Sequence, residues 1–139
     1  MMKRIVIILL LGGLISGCGI IRTNESYSFD NIQMSVDNKT ISNKGLDIII
    51  VNNSDTIWNY GEDYGVQIFT SDEWLNLSNI NPTWAIETIE YSIKAQQQTV
   101  MTINWENRYG QLERGKYRIV KSFRDARGST IELYSEFEN

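Results

Sequence analysis

The chain has 139 residues, a formal net charge of −4, one cysteine and no histidine. Without imidazole it lacks the usual general base of neutral-pH hydrolysis and the usual nitrogen ligand of zinc, and a lone thiol permits no disulfide within the chain. An acidic balance also argues against nucleic acid as a partner, since such binding depends on clustered Lys and Arg releasing phosphate counterions.

The chain opens on a short basic start, Lys3 and Arg4, then an apolar run, IVIILLLGGLI at 5–15, then small residues at Ser16 and Gly17. That order predicts a secretory signal peptide over 1–17. A membrane-spanning helix needs about 20 apolar residues, and this run stops short of that. On its own, Cys18 reads as either a small buried hydrophobe or a free thiol. The sequence Ile15-Ser16-Gly17-Cys18, however, resembles the lipobox of bacterial lipoproteins. The resemblance implies a diacylglycerol group on the Cys18 sulfur, cleavage just before it, and further N-acylation with palmitate-type chains as an option. Small residues at 16 and 17 admit a peptidase, and cysteine supplies the nucleophilic sulfur. Two or three acyl chains hold a protein at a membrane where one is marginal. The expected location is the outer face of the cytoplasmic membrane, with the membrane itself as a partner through the lipid. Gly19 carries no acidic signal for inner-membrane retention. Loss of residues 1–17 removes Lys3 and Arg4 and no acid, so −4 becomes −6 over the remaining 122 residues (139 minus 17). That length suits one domain with a hydrophobic core.

Residues 18–31 are polar after Ile21, lack sustained periodicity, and read as a lipidated tether. Strand-like runs follow through 32–139: IQMSV at 32–36, LDIIIVN at 46–52, GVQIFT at 65–70, EWLNL at 73–77 and IETIEYSI at 86–93. TVMTINW at 99–105, KYRIVKSF at 116–123 and TIELYSEF at 130–137 complete the set. Turn signals NNSD, YGED, TSDE, KAQQQ and RDARG separate them at the spacing of an all-β sandwich. The only proline, Pro82, falls in a loop, NINPTW. WENRYGQLERG at 105–115 is too rich in long polar residues for a strand and reads as helix-like.

Leu112, Gly115 and Tyr117 fit the L-x-x-G-x-Y pattern of a tyrosine corner, in which a phenol at the start of a late strand bonds backbone upstream. The alternative is an ordinary turn with a half-buried tyrosine. Three segments, TISNKGLDIIIVNNSDTIWNYGEDYGVQI, EWLNL and INWENRYGQLERGKYRIVKSF, together resemble the bacterial immunoglobulin-like domain found in small lipoproteins of Gram-positive bacteria. The most distinctive string runs from Trp105 to Lys121. The resemblance implies an Ig-like Greek-key β-sandwich of about seven to eight strands and an exported location, and it brings no catalytic set.

Function is therefore read from what remains. Carboxylate pairs exist at Glu62/Asp63, Asp72/Glu73 and Glu87/Glu90, and glycan hydrolysis requires two carboxyl groups across a cleft. Acids beside turn glycines are more often simply solvated. The D-x-D-x-D-G spacing of a calcium loop is absent. Among the aromatics, Trp74 and Trp105 are expected in the core. Trp58, Tyr60, Tyr64 and Trp84 fall at expected loop edges, where each either packs into the core, the commoner fate of a single aromatic, or stands exposed and anchors a partner. The expectation is a non-catalytic interaction or structural module of the envelope, without cofactor or metal, facing an unidentified envelope protein or glycan. A carbohydrate or cell-wall ligand binder is the alternative, and a glycan hydrolase the third.

Overall fold

A computed structural model describes residues 31–139. The expected signal peptide, Cys18 and all of the expected tether except Asn31 lie outside the described residues. Nine strands and one helical turn make up the domain: β1 (Ile32–Val36), β2 (Gly45–Asn52), β3 (Trp58–Gly61), β4 (Gly65–Thr70), β5 (Glu73–Asn76), β6 (Glu90–Ile93), β7 (Gln98–Asn104), α1 (Glu106–Tyr109), β8 (Lys116–Asp125) and β9 (Thr130–Glu138). Among the described residues no helix is long and apolar enough to cross a membrane.

Alternation drives the layering. In β2, Leu46, Ile48, Ile50 and Asn52 are buried while their neighbours are only partly covered, and in β8 the inward set is Tyr117, Ile119, Lys121 and Phe123. Period-two burial of this kind needs a second layer, and the chain supplies one. A three-stranded antiparallel sheet, β1-β2-β7, faces a six-stranded one ordered β5-β4-β8-β3-β6, with β9 also on β8. On one flank the two sheets are tied by Val36 N–H, which donates to the Ser135 hydroxyl at 3.0 Å. At one end Phe137 stacks between Trp105 and Tyr117, with ring centroids 5.6 Å away on each side. Trp105 is fully buried and its indole N–H donates to the Asn43 carbonyl at 2.9 Å.

The tyrosine corner has its defining bond. The Tyr117 hydroxyl donates to the Glu113 carbonyl at 2.8 Å. A Cβ on Gly115 would sit 3.2 Å from the Tyr117 ring, so a bare glycine lets the phenol fold back over the turn. Leu112 is buried beside it.

Several expectations are corrected. YGED is not simply a turn: Trp58–Gly61 is a strand, paired with both β6 and β8. Trp58 and Tyr60 therefore lie in the core and not at loop edges, because they alternate in phase on the inward face of β3. Trp74, expected in the core, is half-exposed on the outer face of the larger sheet against Phe69, centroids 5.1 Å apart. The strand expected over 86–93 is formed only at 90–93, and the helix-like stretch at 105–115 contributes a single turn.

β3 and β4 are one strand interrupted along β8. From Asn59 to Gly65 the chain advances six residues while its β8 partner retreats four, from Arg124 to Val120. The surplus leaves main-chain groups at Gly61 and Asp63 outside the pairing with β8, a bulge of the kind that bends a sheet and needs other donors.

Candidate functional site

A concavity lies beside that interruption. A groove of about 440 Å³ lies between the bulge and the 86–90 segment, with Tyr60, Glu62, Ile86, Ile89 and Phe123 among its walls. It continues through two smaller hollows, of about 340 and 290 Å³, along β7. Glu62 borders all three. The structure thus gathers residues far apart in sequence: the pairs Glu62/Asp63 and Glu87/Glu90, and the aromatics Tyr60, Tyr64 and Trp84, all line some part of this valley. Trp58 does not, since it is buried in the core, where its indole N–H donates to Ser54 Oγ at 3.2 Å. Asp72 and Glu73 sit apart, in the β4–β5 turn.

Under the bulge lies Lys121, which is 1% exposed. Its Nζ donates to the carbonyls of Gly61 at 2.5 Å and Asp63 at 2.8 Å and lies 5.2 Å from the Tyr60 ring centroid. Burial pulls its ammonium down to about 8, against the opposing pull of Asp63 and Glu62. Lys121 replaces the ladder bonds that the bulge gives up. It points into the core and so acts on the groove by holding its wall. Burial also raises the Tyr60 phenol.

A second cation shapes the far wall. Arg108, on α1, has its guanidinium carbon 4.1 Å from the Trp84 ring centroid, 4.7 Å from Tyr109 and 5.3 Å from Tyr64. It also donates to the Tyr64 carbonyl, while its Nε is buried without a hydrogen-bond partner. Stacking on three rings offsets that deficit, because a flat, weakly hydrated guanidinium is attracted to aromatic faces. The Ile80 N–H donates to the Arg108 carbonyl at 2.8 Å, which docks the long 77–89 loop on α1. Tyr64 is pushed up to about 12 by burial, with Arg108 opposing, and its hydroxyl donates to the Asn104 carbonyl at 3.1 Å.

The carboxylates are largely engaged. Glu62 accepts from the Tyr91 hydroxyl, and Glu90 is paired with Arg124. That bond to Glu62 is the main reason the Tyr91 phenol is raised. Among the described residues no group of three or more acids or cysteines is placed to hold a metal ion.

Lys121, Arg108 and Asn52 were not singled out by sequence reasoning. Lys121 was accessible to it, being in phase with Tyr117, Ile119 and Phe123. Asn52 is fully buried, and its amide donates to the carbonyls of Thr56 at 2.8 Å and Ile93 at 3.0 Å, while its oxygen accepts from Ser54. Nothing in NNSD distinguishes such a hub from a surface turn.

Residues 28–138 match the family model of the bacterial Ig-like domain, and the chain belongs to that family. None of the curated proteins compared with it matches. Among solved structures it is similar to the archaellum periplasmic stator protein FlaG from Sulfolobus acidocaldarius. The two are 13% identical over 74% of this chain and 98% of that one, with a TM-score of 0.39.

Proposed function

We propose that this Ig-like domain is a lipid-anchored, extracytoplasmic module that binds another protein of the cell envelope and performs no catalysis. The observation that carries the reading is the apolar rim of the valley. Ile86, Ile89, Tyr91 and Val100 are 40, 41, 38 and 57% exposed, on the walls of adjoining hollows. Apolar side chains gathered around a groove mark interaction sites more often than chance exposure does. A non-catalytic reading is supported by the engagement of Glu62 and Glu90 and by a family that brings no catalytic set.

The anchor is tested directly. Cys18→Ser removes the sulfur that would carry the lipid, so the variant is expected to keep residues 1–17, migrate as the longer precursor and incorporate no labelled fatty acid. If it takes up the label and migrates like the wild type, the anchor is wrong. For the interface, Ile86→Ser with Ile89→Ser should cut crosslinking to envelope proteins in intact cells at least about fivefold, an interface loss on the order of 1 kcal/mol. Turnover of cell-wall glycans that disappears in Glu62→Gln would overturn the non-catalytic reading.

One observation favours a carbohydrate ligand as a second reading. On the outer face of the larger sheet, Arg118 lies between Trp74 and Tyr134, at 4.5 and 4.2 Å from their ring centroids, with Phe69 beside Trp74. Aromatic side chains gathered on a sheet face in this way can stack on sugar rings. Retention on a cell-wall glycan column that is lost in Trp74→Ala would select it.

A further inference from the structure

Five strands lie at sheet edges: β1, β5, β6, β7 and β9. Natural edges are blunted by charge, proline, shortness or cover. β5 and β6 are four residues each and carry an acid, β9 carries glutamates, and β1 is met by Ser135 of β9. Among the described residues β7 has none of these protections. Its seven residues, QTVMTIN, contain no charge and no proline, and Val100 stands 57% exposed on it.

Which of its main-chain groups are open follows from the ladder. Asn52 N–H donates to the Gln97 carbonyl and Trp105 N–H to the Lys44 carbonyl, both in register with the β2–β7 pairing. In an antiparallel pair the bonds alternate, so Thr99, Met101 and Ile103 turn their N–H and C=O toward β2. Val100, Thr102 and Asn104 turn theirs outward. Of these outward carbonyls, Asn104 is taken by the Tyr64 hydroxyl. Val100 and Thr102 face the two hollows that line β7, of about 340 and 290 Å³. The charged side chains bordering those hollows are Glu62 and Glu87.

We infer that the free edge of β7 accepts an added β-strand from an extended segment carrying lysine or arginine at alternate positions. The inference rests on the protein-binding reading and specifies its mode. Main-chain bonds to Val100 and Thr102 supply the pairing, while Glu62 and Glu87 select cationic side chains across the groove. A second copy of this chain would place the same glutamates together, and the tether segment 18–31, with Arg22, Glu25 and Asp30, brings no net positive charge.

The probe is a fluorescent peptide alternating valine or threonine with lysine, titrated against the full chain in detergent micelles; a glutamate-for-lysine peptide is the control. The lysine peptide should bind at least about tenfold tighter, weaken severalfold as salt rises to physiological strength, and slow hydrogen exchange at the Val100 and Thr102 amides. Val100→Pro removes an outward N–H and leaves the β2 ladder intact; it should abolish binding, and Val100→Lys, which keeps the backbone, should weaken it about tenfold. Equal binding of both peptides, exchange protection elsewhere, or no binding would overturn the inference. So would a β7-dependent dimer, or release of those amides on deleting residues 19–29. Cellular crosslinks that survive Val100→Pro but fail in the Ile86/Ile89 variant would sink the edge and leave the protein-binding reading standing. If no crosslinks form in the wild type, the reading itself fails.

Discussion

Tyr117 and Lys121 point the same way from one strand and do the same job at two places. Each is inward and buried, and each donates to carbonyls that the sheets leave unpaired. At the corner, one carbonyl beside the end of the sandwich is served by a neutral phenol. Under the β3–β4 bulge, two carbonyls meet a charged ammonium whose acidity burial has raised. The difference is one of cost. A phenol loses little on leaving water, whereas an ammonium loses much and is tolerated only where several acceptors and nearby acids compensate it. Lys121 has both: two carbonyls at hydrogen-bond distance, and the charges of Asp63 and Glu62.

Lys121→Ala should cost the most stability. That change leaves two buried carbonyls without donors and a cavity in the core, so a loss of about 3–4 kcal/mol in unfolding free energy is expected. Lys121→Met separates the volume of the side chain from its hydrogen bonds. Methionine restores volume and removes the buried charge, so the loss should fall to about 1–2 kcal/mol, the part due to the carbonyls alone. Chemical denaturation of both variants checks this. A methionine variant as weak as the alanine one would mean that volume matters little at this site and that the carbonyls dominate.

The contrast also explains what was legible in the sequence. Tyr117 announces itself through Leu112 and Gly115, because the corner is a local motif whose spacing is fixed by one turn. Alternation likewise exposes β2, β7 and β8, whose inward residues are mostly apolar, Asn52 and Lys121 being the buried exceptions. β3 was obscured because it is four residues long and ends in the glycine and acids that normally mark a turn. Trp58 and Tyr60 were misplaced along with it. Trp74 was misjudged for a different reason: a large aromatic reads as core in any strand, and only the β4–β5–β8 register puts it outside, beside Arg118 and Lys116. The groove was invisible because its walls come from segments joined only by the fold. Its residues were nonetheless named singly, as Glu62, Glu87, Tyr64 and Trp84.

A middle-sized effect concerns pH. The Lys121 pKa is lowered in the folded state, from 10.5 to about 8, so between those values the unfolded chain binds more protons than the folded one. Stability from this group is therefore greatest above pH 10.5 and lost as pH falls through 8. Between pH 7.5 and 9.5 the gain should approach about 2 kcal/mol. Above pH 10 the sign reverses through the tyrosines. Tyr60, Tyr64, Tyr109 and Tyr117 are all raised, chiefly by burial, so the unfolded chain ionises first and stability falls. A stability optimum near pH 9.5–10 is expected in denaturation series across pH. In Lys121→Met the rise from neutral pH should vanish while the alkaline fall remains, which assigns each limb to its group.

The smallest effect expected is at the other pole of the comparison. Tyr117→Phe keeps the ring against Phe137, whose centroid lies 5.6 Å away, and deletes only the hydroxyl that donates to Glu113. The Glu113 carbonyl is not left wholly without a donor, because the Asn139 amide also approaches it, at 3.4 Å. A long second bond is a poor substitute, so the loss should be about 1 kcal/mol, well below that of Lys121→Ala. The double variant Tyr117→Phe with Asn139→Ala tests this account. If Asn139 partly covers for the phenol, the double loss should exceed the sum of the single ones by about 0.5 kcal/mol or more. Strict additivity would mean that solvent already reaches Glu113, and that the corner holds the arch through ring packing more than through its hydrogen bond.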